Sequence, residues 1–276
     1  MSTRRFLKMH GLGNDFVIFD ARRDPLPLTE VQAAALADRR RGVGCDQVIA
    51  MEPPQDAGAD LFMRIWNNDG SEAGACGNAT RCVAALLFHE TGKDNATIQT
   101  LAGLLPATAA EGGLVSVDMG EARFGWRDIP LAREMDTAHL ELAHGIYADP
   151  VGLNVGNPHA VFFVETAPDD ETLTEAGAAL ERDPLFPERA NIQFVQVLGP
   201  GRLRQRVWER GAGITQASGS GACAGAAAAV RRGLVEPKVT TEMDGGELIL
   251  EVRPDWHVVM TGPVSLAFAG EVEFAD

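Results

Sequence analysis

The strongest constraint on what this chain can fold into is that it repeats itself. Arg64, Trp66, Ala75, Gly77, Ala84 and Ala85 recur as Arg206, Trp208, Ala217, Gly219, Ala226 and Ala227, each 142 positions later (206 − 64). Upstream, GNDFVIF at 13–19 is echoed by GNPHAVFF at 156–163, at a shift of 143 (156 − 13). Two motifs in the same order, with spacing kept to one residue, imply two halves of similar fold rather than coincidence among Gly- and Ala-rich segments. The 276 residues suit two medium domains. The expected division is 1–120 with the tail 264–276 returning to it, and 121–263.

Local patterns support a mixed α/β fold. Runs rich in β-branched and aromatic residues predict strands at 16–20, 60–66, 97–101 and 114–120. In the second half they predict strands at 160–165, 192–198, 204–210, 247–253 and 257–262, and the tail 264–274 reads as a strand returning to the first half. TEVQAAALADRR (29–40) predicts a helix capped by Thr29, and DETLTEAGAALERD (170–183) its counterpart. A further helix follows each repeated turn, at about 77–90 ahead of Gly92 and about 219–232 ahead of Gly233. Each half is therefore a strand-rich unit with an inner helix of small residues.

Charge and cysteine usage exclude several classes. A net charge of −15 argues against nucleic acid or an anionic membrane as partner, because phosphate is bound by clustered Lys and Arg. MSTRRFLKMHGLG lacks the apolar stretch of a secretory leader, and no run approaches a membrane span. Four cysteines (Cys45, Cys76, Cys82, Cys223) do not make a disulfide framework and show no metal-ligand spacing. NNDGSE (67–72) lacks the spaced acidic positions of a calcium loop. The expectation is a reduced, cytoplasmic protein with no metal.

The repeated turns carry the chemistry. AGACGNATRC places Cys76 where a helix begins, and QASGSGACA places Ser218 at the matching point. A cysteine at a helix N-terminus faces unpaired N–H groups and the positive end of the dipole, both of which favour thiolate. The same N–H groups hold carboxylates. Two such turns facing one cleft suit two-base chemistry: one group removes an α-proton and the other returns a proton to the opposite face. Cys45, Cys82 and Cys223 read as small core residues.

HGLGNDF (10–16), GVGCDQ (42–47), NNDGSEAGACGNATRC (67–82), VGNPHAVFF (155–163), ERGAGITQASGSGACA (209–224) and MTGP (260–263) resemble diaminopimelate epimerase, in order and over essentially the whole chain. The resemblance implies two α/β domains of matching fold, pseudo-symmetric, each with strands wrapped around a central helix. It implies interconversion of LL- and meso-diaminopimelate, a small-molecule substrate, with two cysteines and neither cofactor nor metal. The family is commonly dimeric, which leaves a homodimer open. Position by position, Cys76 matches the first catalytic cysteine. Gly77, Asn78, Gly219 and Ser220 match turn residues whose backbone amides hold the reacting carboxylate. Asn14, Gln47, Asn67, Asn157, Asn191, Glu209 and Arg210 match the lining that holds the distal amino-acid end. His159 and Glu209 match groups that tune the cysteines. Such a lining makes chemical sense, since a far carboxylate calls for an Arg and a far ammonium for carboxylate and amide oxygens.

Ser218 departs from the family pattern, which has its second catalytic cysteine there. A hydroxyl is a far poorer acid and base than a thiol of ordinary pKa about 8.5. It keeps size and hydrogen bonding, so the sequence reads as an epimerase scaffold with an impaired second base. Two alternatives stand beside this reading. One is a proline or hydroxyproline racemase- or dehydratase-type enzyme of related fold. The other is a non-catalytic diaminopimelate-binding variant.

Overall fold

The computed structural model describes residues 2–274. By its contacts the chain forms two compact units, 1–117 with 262–276 and 118–261. The first unit opens with β1 (Ser2–Gly11), β2 (Asn14–Asp20), α1 (Glu30–Ala37), β3 (Gln47–Glu52) and β4 (Leu61–Asn67). It continues with α2 (Gly77–Thr91), β5 (Asn95–Thr100), β6 (Gly103–Ala109) and β7 (Val115–Glu121). The second unit contains β8 (Ala143–His144) and β9 (Tyr147–Ala148), a small hairpin, then β10 (Val151–Asn154), β11 (Pro158–Val164) and α3 (Asp170–Glu181). There follow β12 (Asn191–Gly199), β13 (Arg202–Glu209), β14 (Gly213–Ile214), α4 (Gly219–Arg231), β15 (Lys238–Met243), β16 (Gly246–Val252) and β17 (His257–Gly262). The last strand, β18 (Ser265–Phe274), pairs antiparallel with β1 in the first unit.

The repeat in the sequence is a repeat in topology. In the first unit β2 and β3 are parallel, β3 and β4 antiparallel, β4 and β5 parallel, and β5 and β6 antiparallel. In the second, β11 and β12 are parallel, β12 and β13 antiparallel, β13 and β15 parallel, and β15 and β16 antiparallel. The parallel pairs need crossovers, and α1, α2, α3 and α4 supply them. The inner helices α2 and α4 both begin at the repeated turn, 142 residues apart (219 − 77).

α4 is almost wholly buried, and α2 is buried along residues 77–84 and at Leu87. In α4, Ala222, Cys223, Ala224, Ala226, Ala227, Ala228 and Ala229 are at 0% exposure. Only small side chains let a helix be enclosed so closely, and alanine does so without loss of rotamer freedom. Gly225 sits against the Gln205 side chain, where an added Cβ would come within 2.1 Å of Oε1. In α2 the wrapping is looser and admits Leu87, Val83 and a fully buried Arg81.

The outer helices follow their sequence signals at the start and not at the end. Thr29 and Gln32 form a capping box on α1, and Asp169 caps α3 through the Thr172 N–H. The pattern predicts α1 to run to 40, but it stops at Ala37. The next loop supplies its last partners: the N–H groups of Val43 and Gly44 donate to Leu36 O at 3.0 Å, and Cys45 N–H to Ala37 O at 3.1 Å. α3 packs on β13 through Gly177, where a Cβ would meet Trp208 Cβ and Cγ at 2.5 Å. Trp208 cannot easily yield, because its Nε1–H donates to Glu181 Oε2 at 2.7 Å. Gly177→Ala is therefore expected to destabilise the protein by roughly 1–3 kcal/mol through overpacking, read as a lower urea midpoint with unchanged slope.

Candidate active site

Each unit brings a cluster of the nominated residues to the end of its sheet where the inner helix begins. In the first unit, Leu12 and Gly13 both have positive φ (56° and 86°) and join β1 to β2 by a tight two-residue turn. Asn14 follows directly. Its Oδ1 accepts from Asn78 Nδ2 at 3.0 Å and from the Cys76 thiol at 3.9 Å. Cys76 is the N-cap of α2 in extended conformation, yet its side chain makes no capping hydrogen bond. The first N–H groups of the helix have no acceptor within the helix itself. Beside this group, Gln47 and Asn67 face each other across β3 and β4, with Gln47 Nε2 donating to Asn67 Oδ1 at 3.0 Å. Asn67 Nδ2 donates to Ser71 Oγ at 3.1 Å.

Cys76 is the only one of the four thiols that is not buried. Burial pushes the Cys45 thiol up to about 11 and the Cys82 thiol up to about 12. Cys223 is at 0% exposure inside α4. The expectation that these three are core residues holds.

In the second unit the cluster forms at the ends of β11, β12 and β13. His159 pairs with Asn191 across β11 and β12. The Asn191 amide is used at both ends: Nδ2 donates to Pro158 O at 3.1 Å and Oδ1 accepts from Arg210 N–H at 2.9 Å. Arg210 Nη1 donates to Glu188 O at 3.0 Å. Glu209 Oε1 accepts from the Thr215 hydroxyl at 2.5 Å. Gly219 and Ser220 open α4, with Ser218 as its N-cap. Unlike Cys76, Ser218 works as a cap, its Oγ accepting from the Gly221 N–H at 3.2 Å.

His159 is fully buried. Its Nε2 lies 2.6 Å from Asn157 Oδ1, an acceptor, so Nε2 carries the proton. Nδ1 is buried and makes no hydrogen bond of ordinary geometry. Burial pushes the imidazole down to about 3; the Gln193 amide opposes this and the Arg210 charge adds to it. A ring held neutral in this way keeps its single proton on Nε2, toward Asn157 Oδ1, and takes up no second proton at neutral pH.

Several residues that shape these clusters carried no sequence signal of their own. Asp46 sits one position before the nominated Gln47 and accepts from Asn14 Nδ2 at 2.9 Å. Asp15 follows Asn14 and pairs with Lys8 at 2.6 Å and Arg39 at 2.7 Å. Burial alone would raise its carboxyl, but the two cations outweigh this and hold it down at about 2. Gln193, at 0% exposure, stands beside His159. The available hints were charged residues next to a nominated asparagine and a glutamine inside an apolar strand. Among the described residues, no group of three or more His, Cys, Asp or Glu is placed to hold a metal ion. Among the described residues, no helix is long and apolar enough to cross a membrane.

The family model for diaminopimelate epimerase matches residues 6–125 and 151–267. This chain belongs to the diaminopimelate epimerase family. It is 56% identical over 269 residues to the diaminopimelate epimerase of Rhodospirillum centenum, covering 98% of this chain and 92% of the relative. It is 57% identical over 277 residues to that of Acidiphilium cryptum, covering 99% and 98%. Among solved structures, a hydroxyproline epimerase from Agrobacterium vitis aligns at TM-score 0.69 and 16% identity, over 99% of this chain and 91% of that one. A Bacillus anthracis phenazine biosynthesis protein of the PhzF family aligns at TM-score 0.69 and 18% identity, over 99% and 100%. These two share the fold of this diaminopimelate epimerase family member.

The depressed His159 sets a pH dependence whose sign is fixed. The unfolded chain protonates this imidazole near 6.5, whereas the folded one resists down to about 3. Between these values the unfolded state binds the extra proton, so stability is present above 6.5 and is lost as pH falls. From pH 7 to pH 5 this loss is roughly 1–2 kcal/mol. Urea midpoints should fall more steeply with acid in the parent protein than in His159→Gln, and equal slopes would show that His159 is not the group responsible.

Proposed function

We propose that this protein moves the α-proton of LL- and meso-diaminopimelate without a cofactor, with Cys76 as one proton-transferring group and Ser218 standing where the second would be. The carrying observation is the contrast between two repeat-related helix starts. Cys76 is half-buried and its thiol is not spent on capping α2. Ser218 is 4% exposed and its oxygen caps α4. The near full-length family match supports the substrate.

In this reading the backbone amides of Gly77, Asn78, Gly219 and Ser220 hold the reacting carboxylate at the two helix starts. The partial positive charge there stabilises the negative charge that spreads onto the carboxylate as the α-carbon loses its proton. Asn14, Gln47, Asn67, Asn157, Asn191, Glu209 and Arg210 serve the distal amino-acid end, a zwitterion that suits amides with one cation and one anion. Glu209 acts beside the Ser218 turn, and His159 acts through Asn157. A cytoplasmic setting in lysine and peptidoglycan precursor synthesis, and a homodimer, belong to the same proposal and rest on the family.

Ser218 limits what the site achieves. A hydroxyl gives up its proton far less readily than a thiol, and this one already accepts an N–H. Proton traffic then runs through Cys76, on one face of the α-carbon. The protein is expected to exchange the α-hydrogen of one stereoisomer with D₂O and to epimerise neither at an appreciable rate. Ser218→Cys is expected to exchange and epimerise both, with a gain on the order of 10²-fold or more. Exchange of both stereoisomers at equal rates by the serine form would overturn the one-base reading. Silence of both forms would overturn the substrate, leaving a hydroxyproline-type substrate or simple binding.

A further inference from the structure

The amide pair beside Cys76 can be read in two directions, and only one outside group decides between them. Asn14 Oδ1 accepts from Asn78 Nδ2 at 3.0 Å and from the Cys76 thiol at 3.9 Å. If both amides turned over together, Asn78 Oδ1 would accept from Asn14 Nδ2. The Asn14 N–H would then face the sulfur. Nothing at the Asn78 end opposes this, because Asn78 Oδ1 is buried without a hydrogen-bond partner. At the other end stands Asp46. Its Oδ2 accepts from Asn14 Nδ2 at 2.9 Å and from the Asp15 N–H at 3.1 Å. Its Oδ1 accepts from Arg39 Nη2 at 2.7 Å. A carboxylate only accepts, so it takes the NH₂ of Asn14 and leaves the oxygen for the thiol.

We infer that Asp46 is a positioning residue for the proposed proton transfer: it fixes the direction of the Asn14 amide, so that Cys76 faces an acceptor rather than a donor. The inference rests on Cys76 being the proton-transferring group. An acceptor toward S–H supports the thiol form; a donor would support the thiolate. The chemical consequence is a Cys76 that can hold a proton for delivery as well as lose one. Asp46 is itself held by a frame of charge: Lys8 on β1, Asp15 on β2 and Arg39 in the loop after α1. From α2, the buried Arg81 guanidinium lies against Gly11 of β1, where an added Cβ would stand 2.8 Å from Nη2.

The test uses the intact protein and iodoacetamide, which Cys76 meets as the only thiol that is not buried. The rate of Cys76 alkylation is followed against pH in the parent, Asp46→Ala, Asn14→Leu and the double variant. Asp46→Ala is expected to move the midpoint toward acid by about half a unit or more, about threefold more thiolate below it. Removing a nearby negative charge would also favour thiolate, so the double variant decides the route. If the effect passes through the amide, Asp46→Ala moves the midpoint no further once Asn14 is leucine. An unmoved midpoint in folded Asp46→Ala, or the same shift in both backgrounds, overturns the inference. Asp46→Ser, whose hydroxyl donates and accepts alike, gives the same comparison if the alanine variant does not fold. Because alkylation needs no turnover, this result is independent of whether diaminopimelate is the substrate.

Discussion

A helix enclosed on every side has only its ends through which to meet solvent or ligand. In each unit that constraint orders everything else. The strands wrap α4, which offers small residues all round, and the first half of α2, where Ala79, Cys82, Val83 and Ala84 are small or apolar, and the wrapping leaves the first-turn N–H groups as polar groups that the core cannot satisfy. They must open where the sheet ends. The residues found there are therefore not an arbitrary collection. They are what the ends of β2, β3 and β4, or of β11, β12 and β13, bring to a helix N-terminus. Doubling the unit doubles the N-terminus, so each unit carries its own polar opening at a helix start.

The two ends are framed by different physics. Around Asn14 the frame is ionic: Lys8 and Arg39 hold Asp15, and Arg39 also holds Asp46. Lys8 is 8% exposed, and a cation so enclosed is tolerable because its carboxylate partner is 2.6 Å away and Gly44 O also accepts from its Nζ. Around His159 the nearest groups are uncharged: Asn157, Asn191 and Gln193, with the imidazole itself kept uncharged by burial, to which the Arg210 charge adds. An ionic frame fixes direction, because a carboxylate can only accept. In the uncharged frame, direction comes from backbone groups and amides: Asn191 is fixed by Pro158 O and the Arg210 N–H, and His159 gives its Nε2 proton to Asn157 Oδ1.

Much of the scaffold was legible in the sequence because its signals are local. The starts of α2 and α4 follow from the repeat and the turn residues, and the α1 cap from Thr29, whereas the α3 cap, Asp169, lies one residue before the expected helix. Strands with runs of apolar, β-branched and aromatic residues, such as β4 and β11, were visible for the same reason. β6 was not, because Gly103 and Pro106 read as punctuation. β3 was not, because QVIAME is short and follows directly on a glycine-rich loop. The end of α1 was misread because its last carbonyls are satisfied by residues 43–45, a tertiary event with no local mark. In the site, a resemblance names residues that touch a ligand. It does not name Asp46, whose part is visible only when the donors and acceptors around Asn14 are followed atom by atom.

Capping and catalysis make opposite demands on the residue at a helix start. A cap must spend its side-chain oxygen on the helix's own N–H groups, and a serine there is worth about 1 kcal/mol over a residue that cannot cap. A proton-transferring group must keep its lone pair for substrate and leave those N–H groups for the carboxylate. A thiol is a poor hydrogen-bond acceptor, so it fills the position without closing it. Cys76 shows this arrangement in α2. Ser218 shows the alternative in α4, where the oxygen that would have to accept a substrate proton already accepts from Gly221. A hydroxyl at this point therefore favours the helix start, where a thiol leaves it open.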